Sequence, residues 1–108
     1  GEATVKMLSS KGYKVSALAR RKSKLKKLST ETGCEVIIMD IRNTKEIEKL
    51  KNYSFDVFIN NAGLGRGFTK IYKTKAEDIL TTIDTNVQAF LQLLRCVTPS
   101  MVKKKGGI

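Results

Sequence analysis

The chain has no tryptophan, one proline, two cysteines and no apolar run long enough to cross a bilayer. The missing run excludes a helical membrane span. Cys34 and Cys96 stand far apart and match neither a metal-binding nor a redox spacing, so two reduced, packed thiols in a cytoplasmic protein are expected over a disulfide framework. No segment repeats and no low-complexity linker divides the chain, and 108 residues hold one domain at most. Acidic residues are scarce where basic ones crowd. Residues 1–27 carry nine Lys or Arg against the single acid Glu2, which supplies most of the net charge of +11. Such a cluster is either a solvated surface or a field for an anionic ligand or nucleic acid. Tyr13 is its only aromatic and it carries no reading motif, so no specific nucleic-acid partner is expected.

The hydrophobic fraction of 41% suffices for a globular core. Apolar spacing and punctuation predict a helix over 2–10 closed by Gly12, a strand over 14–19, and a helix over 23–32 with Leu25 and Leu28 on one face, closed by Gly33. A strand follows over 35–40, then a helix capped by Asn43 or Thr44 and bearing Ile47 and Leu50. Val57-Phe58-Ile59 is a short apolar run of the kind buried on both faces of a parallel sheet. Thr74 and Glu77 have the spacing of a capping box opening a helical region that runs to about residue 104, with Pro99 expected to kink or loosen its last turns. Helix alternates with strand throughout, which predicts an α/β fold with a parallel sheet between helical layers.

The chemistry gathers where these strands end. Asn60-Asn61-Ala62-Gly63 follows the third strand, and ligands of open α/β sheets bind beyond the carboxyl ends of strands. Its amides donate and accept, and its glycine admits a flat ligand to the backbone, although an ordinary turn could use the same residues. Gly63-Leu64-Gly65-Arg66-Gly67 lacks the spacing of a phosphate loop and reads as a flexible lip to a substrate cleft. Arg66 there either meets a substrate carboxylate or faces solvent.

In this order and spacing the chain resembles the classical short-chain dehydrogenase/reductase family along essentially its whole length. Gly1-Glu2-Ala3 is similar to the last glycine of the family's T-G-x-x-x-G-x-G motif and the helix it opens. Arg20-Arg21 ends the second strand of the family's sheet, Asp40-Ile41 the third and N-N-A-G the fourth. Asn86 in D-T-N-V matches the helix asparagine of the catalytic set. The pair Arg20-Arg21 and the run N-N-A-G-L-G-R-G look closest to NADP-dependent 3-hydroxy acid dehydrogenases. The resemblance implies a partial Rossmann-like, doubly wound parallel sheet over 1–108, lacking the first strand and the C-terminal half.

It implies NADP as cofactor: Gly1 at the pyrophosphate, Arg20 and Arg21 at the 2′-phosphate where an NAD enzyme places an acid, Asp40 and Ile41 at the adenine, and Asn61, Ala62 and Gly63 along the adenosine. For Asn86 it implies a backbone carbonyl serving the proton relay, aided by a local distortion of the helix. The implied reaction is hydride transfer between an alcohol, such as a 3-hydroxy acid, and its carbonyl. No Y-x-x-x-K pair is present: Tyr13, Tyr53 and Tyr72 each lack a lysine four residues on. The chain is therefore expected to be an internal piece of a longer enzyme, inactive alone. A non-catalytic nucleotide-binding or redox-sensing module of the same fold is the alternative.

The complete enzyme is expected to be a homodimer or homotetramer joined through the helix over 86–101. Val87, Phe90, Leu91, Leu94, Val97 and Met101 are expected to face the sheet, and Leu93 and Cys96 to widen the apolar surface toward a partner.

Overall fold

A computed structural model describes residues 1–67 and 69–108. The chain resolves into two compact units, Gly1–Asp40 and Ile41–Ile108.

The first unit is helix, strand, helix, strand. Helix α1 (Glu2–Ser10) ends at Lys11, after which Gly12 takes φ +83°. The Gly12 and Tyr13 N–H groups donate to the Ser9 and Leu8 carbonyls, the paired bonds of a Schellman ending. Strand β1 (Ser16–Ala19) leads into α2 (Lys22–Thr32), which stops at Gly33 in the left-handed conformation. Strand β2 (Glu35–Ile38) lies parallel to β1, with Ser16 opposite Glu35 and Ala19 opposite Ile38. Ala17, Leu25, Leu28 and Cys34 are buried together, with Val5, Val15, Ala19 and Val36 packed around them. The predicted Leu25–Leu28 face is thus the one turned inward. Both thiols, Cys34 here and Cys96 in the second unit, are buried and unpaired.

The second unit opens with α3 (Thr44–Ile47) and a 3-10 turn (Glu48–Asn52). Asn43 caps α3: its side chain accepts from the Lys45 and Glu46 N–H groups at 3.1 and 3.4 Å, and its amide donates to the Glu46 carboxylate. A second 3-10 turn (Ile71–Lys73) precedes α4 (Ala76–Ile83), a π-helical turn (Asp84–Gln88) and α5 (Ala89–Lys103). Ile47 and Leu50 are almost fully buried, and the segments bearing them pack against α5, whose inward residues are Ala89, Leu93, Cys96, Val97 and Met101. Among the described residues no helix is long and apolar enough to cross a membrane.

Three expectations change. Residues 57–59 form no strand, and Val57 and Ile59 are each about half exposed, at 51% and 52%. A strand exists through its neighbours, and among the described residues the ladder bonds of this stretch run only to Ile108: its N–H donates to the Asp56 carbonyl at 3.0 Å, and its carbonyl accepts from the Phe58 N–H at 2.7 Å. That is the pattern of a parallel pair centred on Val57. Only two of the fold's usual strands, β1 and β2, are thus formed as a sheet among the described residues. The capping box is absent as well. Lys75 takes the N-cap without a side-chain bond, and the Thr74 hydroxyl donates instead to the Lys70 carbonyl. Pro99 lies inside α5, as its place in the apolar pattern implied, and the helix runs on to Lys103 with Val97 and Met101 buried on either side of it. Finally, Leu93 and Cys96 are core residues, while Val87 and Leu91, expected to face the sheet, are 47% and 57% exposed.

Candidate functional site

The first unit brings two of the expected residues together. Met39 N–H donates to the Ala19 carbonyl and extends the β1–β2 pairing by one step, so the residues that follow both strands emerge side by side. Arg20 Nη1 lies 3.9 Å from Asp40 Oδ2, with the guanidinium side chain 63% exposed and the carboxylate side chain 33%. Arg21 is the N-cap of α2, in extended conformation and with no side-chain bond to the helix end. The first turn of α2 carries no acid to offset its exposed N–H groups. Arg20, Arg21, Lys22 and Lys24 therefore surround a helix terminus that is already positive, where an anion is favoured by both charge and dipole. Gly1 is the N-cap of α1 and accepts the Val5 N–H through its carbonyl.

In the second unit the geometry centres on Asn86. Its Oδ1 accepts from the Leu64 N–H at 2.8 Å, and its Nδ2 donates to the Leu64 carbonyl at 2.7 Å. The carboxamide thus pairs with the backbone as a neighbouring strand would. Gly63, one residue earlier, lies against the same amide: a Cβ there would stand 3.9 Å from Asn86 Oδ1. Asn61, Ala62 and Gly63 are exposed, and Ile41 is half-buried at the start of the unit.

Asn86 sits in the π turn Asp84–Gln88. Widened turns of this kind are rare and concentrate at functional sites. The turn leaves its mark on the next residue back. Thr81, Thr82 and Thr98 each donate their hydroxyl to the carbonyl four residues earlier, whereas the Thr85 hydroxyl is buried with no partner among the described residues. A hydroxyl so placed costs about 1–3 kcal/mol.

Reading the sequence missed Leu64, whose part is played by backbone alone, and the close packing at Gly67. Gly67 has φ +69°, and a Cβ there would fall 2.7 Å from Thr74 Cγ2. The glycine-rich run expected as a flexible lip is therefore tied at Leu64 and packed closely at Gly67. Among the described residues no cluster of side chains could hold a metal ion.

The profile of the family described as short chain dehydrogenase matches residues 1–108. The NADP-dependent 3-hydroxy acid dehydrogenase YdfG of Escherichia coli strain K12 is 34% identical over 115 residues, which cover 99% of this chain and 46% of that protein. The NADPH-dependent pterin aldehyde reductase of Arabidopsis thaliana is 30% identical, over 100% of this chain and 49% of its own length. Among solved structures, the closed form of serine dehydrogenase complexed with NADP+ superposes with a TM-score of 0.94 at 33% identity, over 99% of this chain and 46% of the other. The chain thus spans about half the length of the relatives it matches. A family profile met from the first residue to the last is no longer a matter of isolated motifs, and the chain belongs to the short-chain dehydrogenase family.

Proposed function

We propose that the chain supplies the cofactor-binding part of an NADP-dependent oxidoreductase that interconverts an alcohol and its carbonyl, with both compact units belonging to one nucleotide-binding domain. The observation that carries this is the carboxyl end of β1, where two arginines stand in place of an acid and Arg20 is exposed beside Asp40. A guanidinium there fits a 2′-phosphate, to which it can offer a two-pronged hydrogen bond. By family resemblance Asp40 would accept a hydrogen bond from the adenine amino group, with Ile41 next in sequence. Gly1, the N-cap of α1, suits the pyrophosphate. Asn61, Ala62 and Gly63 offer an exposed edge to the adenosine side. The hydride of the reaction is supplied or accepted by NADP when bound.

Asn86 belongs to the catalytic set. Its side chain fixes Leu64, and by family resemblance its backbone carbonyl serves the proton relay. The names of the relatives support a 3-hydroxy acid as the alcohol. The two unpaired, buried thiols support a reducing, cytoplasmic setting.

We also infer a homodimer or homotetramer for the complete protein, through a face other than the one expected from sequence. Leu80, Ile83, Val87 and Leu91 follow one another at helical spacing along α4, the π turn and α5, each about half exposed or more. A solvent-facing stripe of that length suits an isologous helix pair.

Steady-state kinetics of the protein expressed from its complete gene tests the cofactor reading. NADP+ is expected to be used at least about ten- to a hundredfold more efficiently than NAD+, the worth of a charged hydrogen bond, and Arg20→Asp to abolish that preference. Equal efficiency with NAD+, unmoved by Arg20→Asp, would refute it.

A further inference from the structure

Between Asp56 and Glu77 the chain has no acidic residue, while Arg66, Lys70, Lys73 and Lys75 are basic. This stretch holds the turn whose Leu64 backbone Asn86 binds through two hydrogen bonds and whose Gly67 lies close to Thr74. Arg66 lies between these two positions. It is exposed and makes no ion pair among the described residues. Lys70 and Lys73, by contrast, each stand 6.0 Å from the centre of the Tyr72 ring. Two residues of chain reach at most about 7 Å, so the Arg66 backbone stays close to the Leu64–Asn86 pair whatever the turn's details. A guanidinium on a backbone held two residues away gives up less conformational freedom on binding than one on a free loop. Its planar fork matches a carboxylate.

We propose that Arg66 binds the carboxylate of a hydroxy-acid substrate, with the acid-free run around it supplying an attractive field for anions. The assignment rests on the oxidoreductase reading above and deepens it, by naming the residue that distinguishes an acid from a neutral alcohol.

The probes are 3-hydroxybutanoate and its methyl ester, turned over with NADP+ by the complete protein. In Arg66→Gln the ratio of kcat/KM for acid over ester is expected to fall about ten- to a hundredfold, carried by KM for the acid rather than by kcat. Arg66→Lys is expected to recover part of the ratio, since it keeps the charge without the fork. An unchanged ratio, or a loss shared equally by acid and ester, overturns the assignment. If the wild type forms no NADPH from either probe, the oxidoreductase reading fails, and Arg66 is then judged by calorimetric titration of 3-hydroxybutanoate. Binding that Arg66→Gln removes upholds the role. Equal binding by both proteins, or none by the wild type, ends it.

Discussion

Gly1–Asp40 and Ile41–Ile108 both hold the backbone at the carboxyl end of a strand-forming run, and they do so by different means. In the first, backbone meets backbone: β1 and β2 pair in register, Met39 extends the ladder past Ala19, and Arg20 and Asp40 emerge beside each other. In the second, the ladder bonds of residues 56–58 run to Ile108 alone among the described residues, and the turn beyond them is held by a side chain, Asn86. Lys104 adds a similar hold, its ammonium reaching both the Phe55 carbonyl, at 3.1 Å, and the Asp56 carboxylate, at 2.6 Å. A ladder spreads its hold over many bonds of similar strength. A side-chain tie concentrates it in one residue, and so single substitutions should cost more, and more selectively, in the second unit.

The largest expected effect lies on α5, where two neighbouring leucines sit in opposite environments. Leu93 is 3% exposed and Leu91 57%. Leu93→Ala should cost about 2–5 kcal/mol of stability, as for a buried leucine, and Leu91→Ala no more than about 0.5 kcal/mol within one subunit. Denaturant unfolding measures both. Light scattering on Leu91→Glu then asks whether the exposed stripe joins subunits. An oligomer dissociated by that charge sustains the interface proposed above, whereas a monomeric wild type or an indifferent oligomer removes it. Equal costs for the two alanines would erase the contrast between the faces.

That contrast marks where sequence ceased to be a guide. Leu25, Leu28, Gly12, Gly33 and Asn43 were legible because periodicity and capping act within a few residues. On α5 two apolar stripes overlap and share Val97 and Met101, so periodicity alone does not choose between them. Ile47 and Leu50 choose, by packing against the stripe that contains Leu93 and Cys96. Residues 57–59 have strand composition, yet a strand is a property of neighbours that composition does not record. Thr74 and Glu77 have capping-box spacing, yet the 3-10 turn before them offers the Thr74 hydroxyl a nearer carbonyl at Lys70. At the site, Arg20, Asp40, Gly63 and Asn86 were legible as motif residues. Leu64 was not, because a backbone N–H and carbonyl are common to nearly every residue.

An intermediate effect is expected from cutting the tie itself. Asn86→Leu keeps the bulk of the side chain and removes both bonds to Leu64, for a loss of about 1–3 kcal/mol. Hydrogen exchange sharpens the test. The Leu64 amide should lose protection while the Met39 amide, held by the β1–β2 ladder, keeps its own. Parallel loss at both would show that the two units do not open separately. Asn86→Asp is the finer probe, because it retains the acceptor for the Leu64 N–H and places a carboxylate oxygen against the Leu64 carbonyl.

The smallest effect separates the units by pH. Each has a charged hub, and the hubs have opposite signs. In the first unit Lys6 joins Glu31 and Glu2, both at 2.9 Å, and the pair of carboxylates, Glu31 foremost, pushes its pKa up to about 12. In the second, Glu48 joins Lys51 and Arg95, and those two cations, Lys51 foremost, hold its carboxyl below the ordinary value of 4.5. A raised lysine contributes stability that is complete below its unfolded pKa of 10.5 and is lost as pH climbs through about 12. A depressed glutamate contributes stability that is present above 4.5 and is lost as pH falls through its lower folded value. Arg95 stays charged across both windows and cannot turn the sign in the second unit. The first unit has an acid side too, since hydrogen bonding to Lys6 lowers the Glu2 pKa. The alkaline window is therefore the discriminating one. Raising pH from 10 toward 12 should loosen the α1–α2 contact of the first unit and leave the Glu48–Arg95 pair of the second intact, and Lys6→Met should abolish the sensitivity of the first. NMR titration of the Lys6 side chain and of the Glu48 carboxyl reads each hub separately. A Lys6 that titrates at its ordinary value, or a Glu48–Arg95 pair that fails first in alkali, would reverse the assignment of signs. Both hubs face solvent, so salt should flatten the two transitions together, and a hub insensitive to salt would have to be more deeply enclosed than its exposed side chains allow.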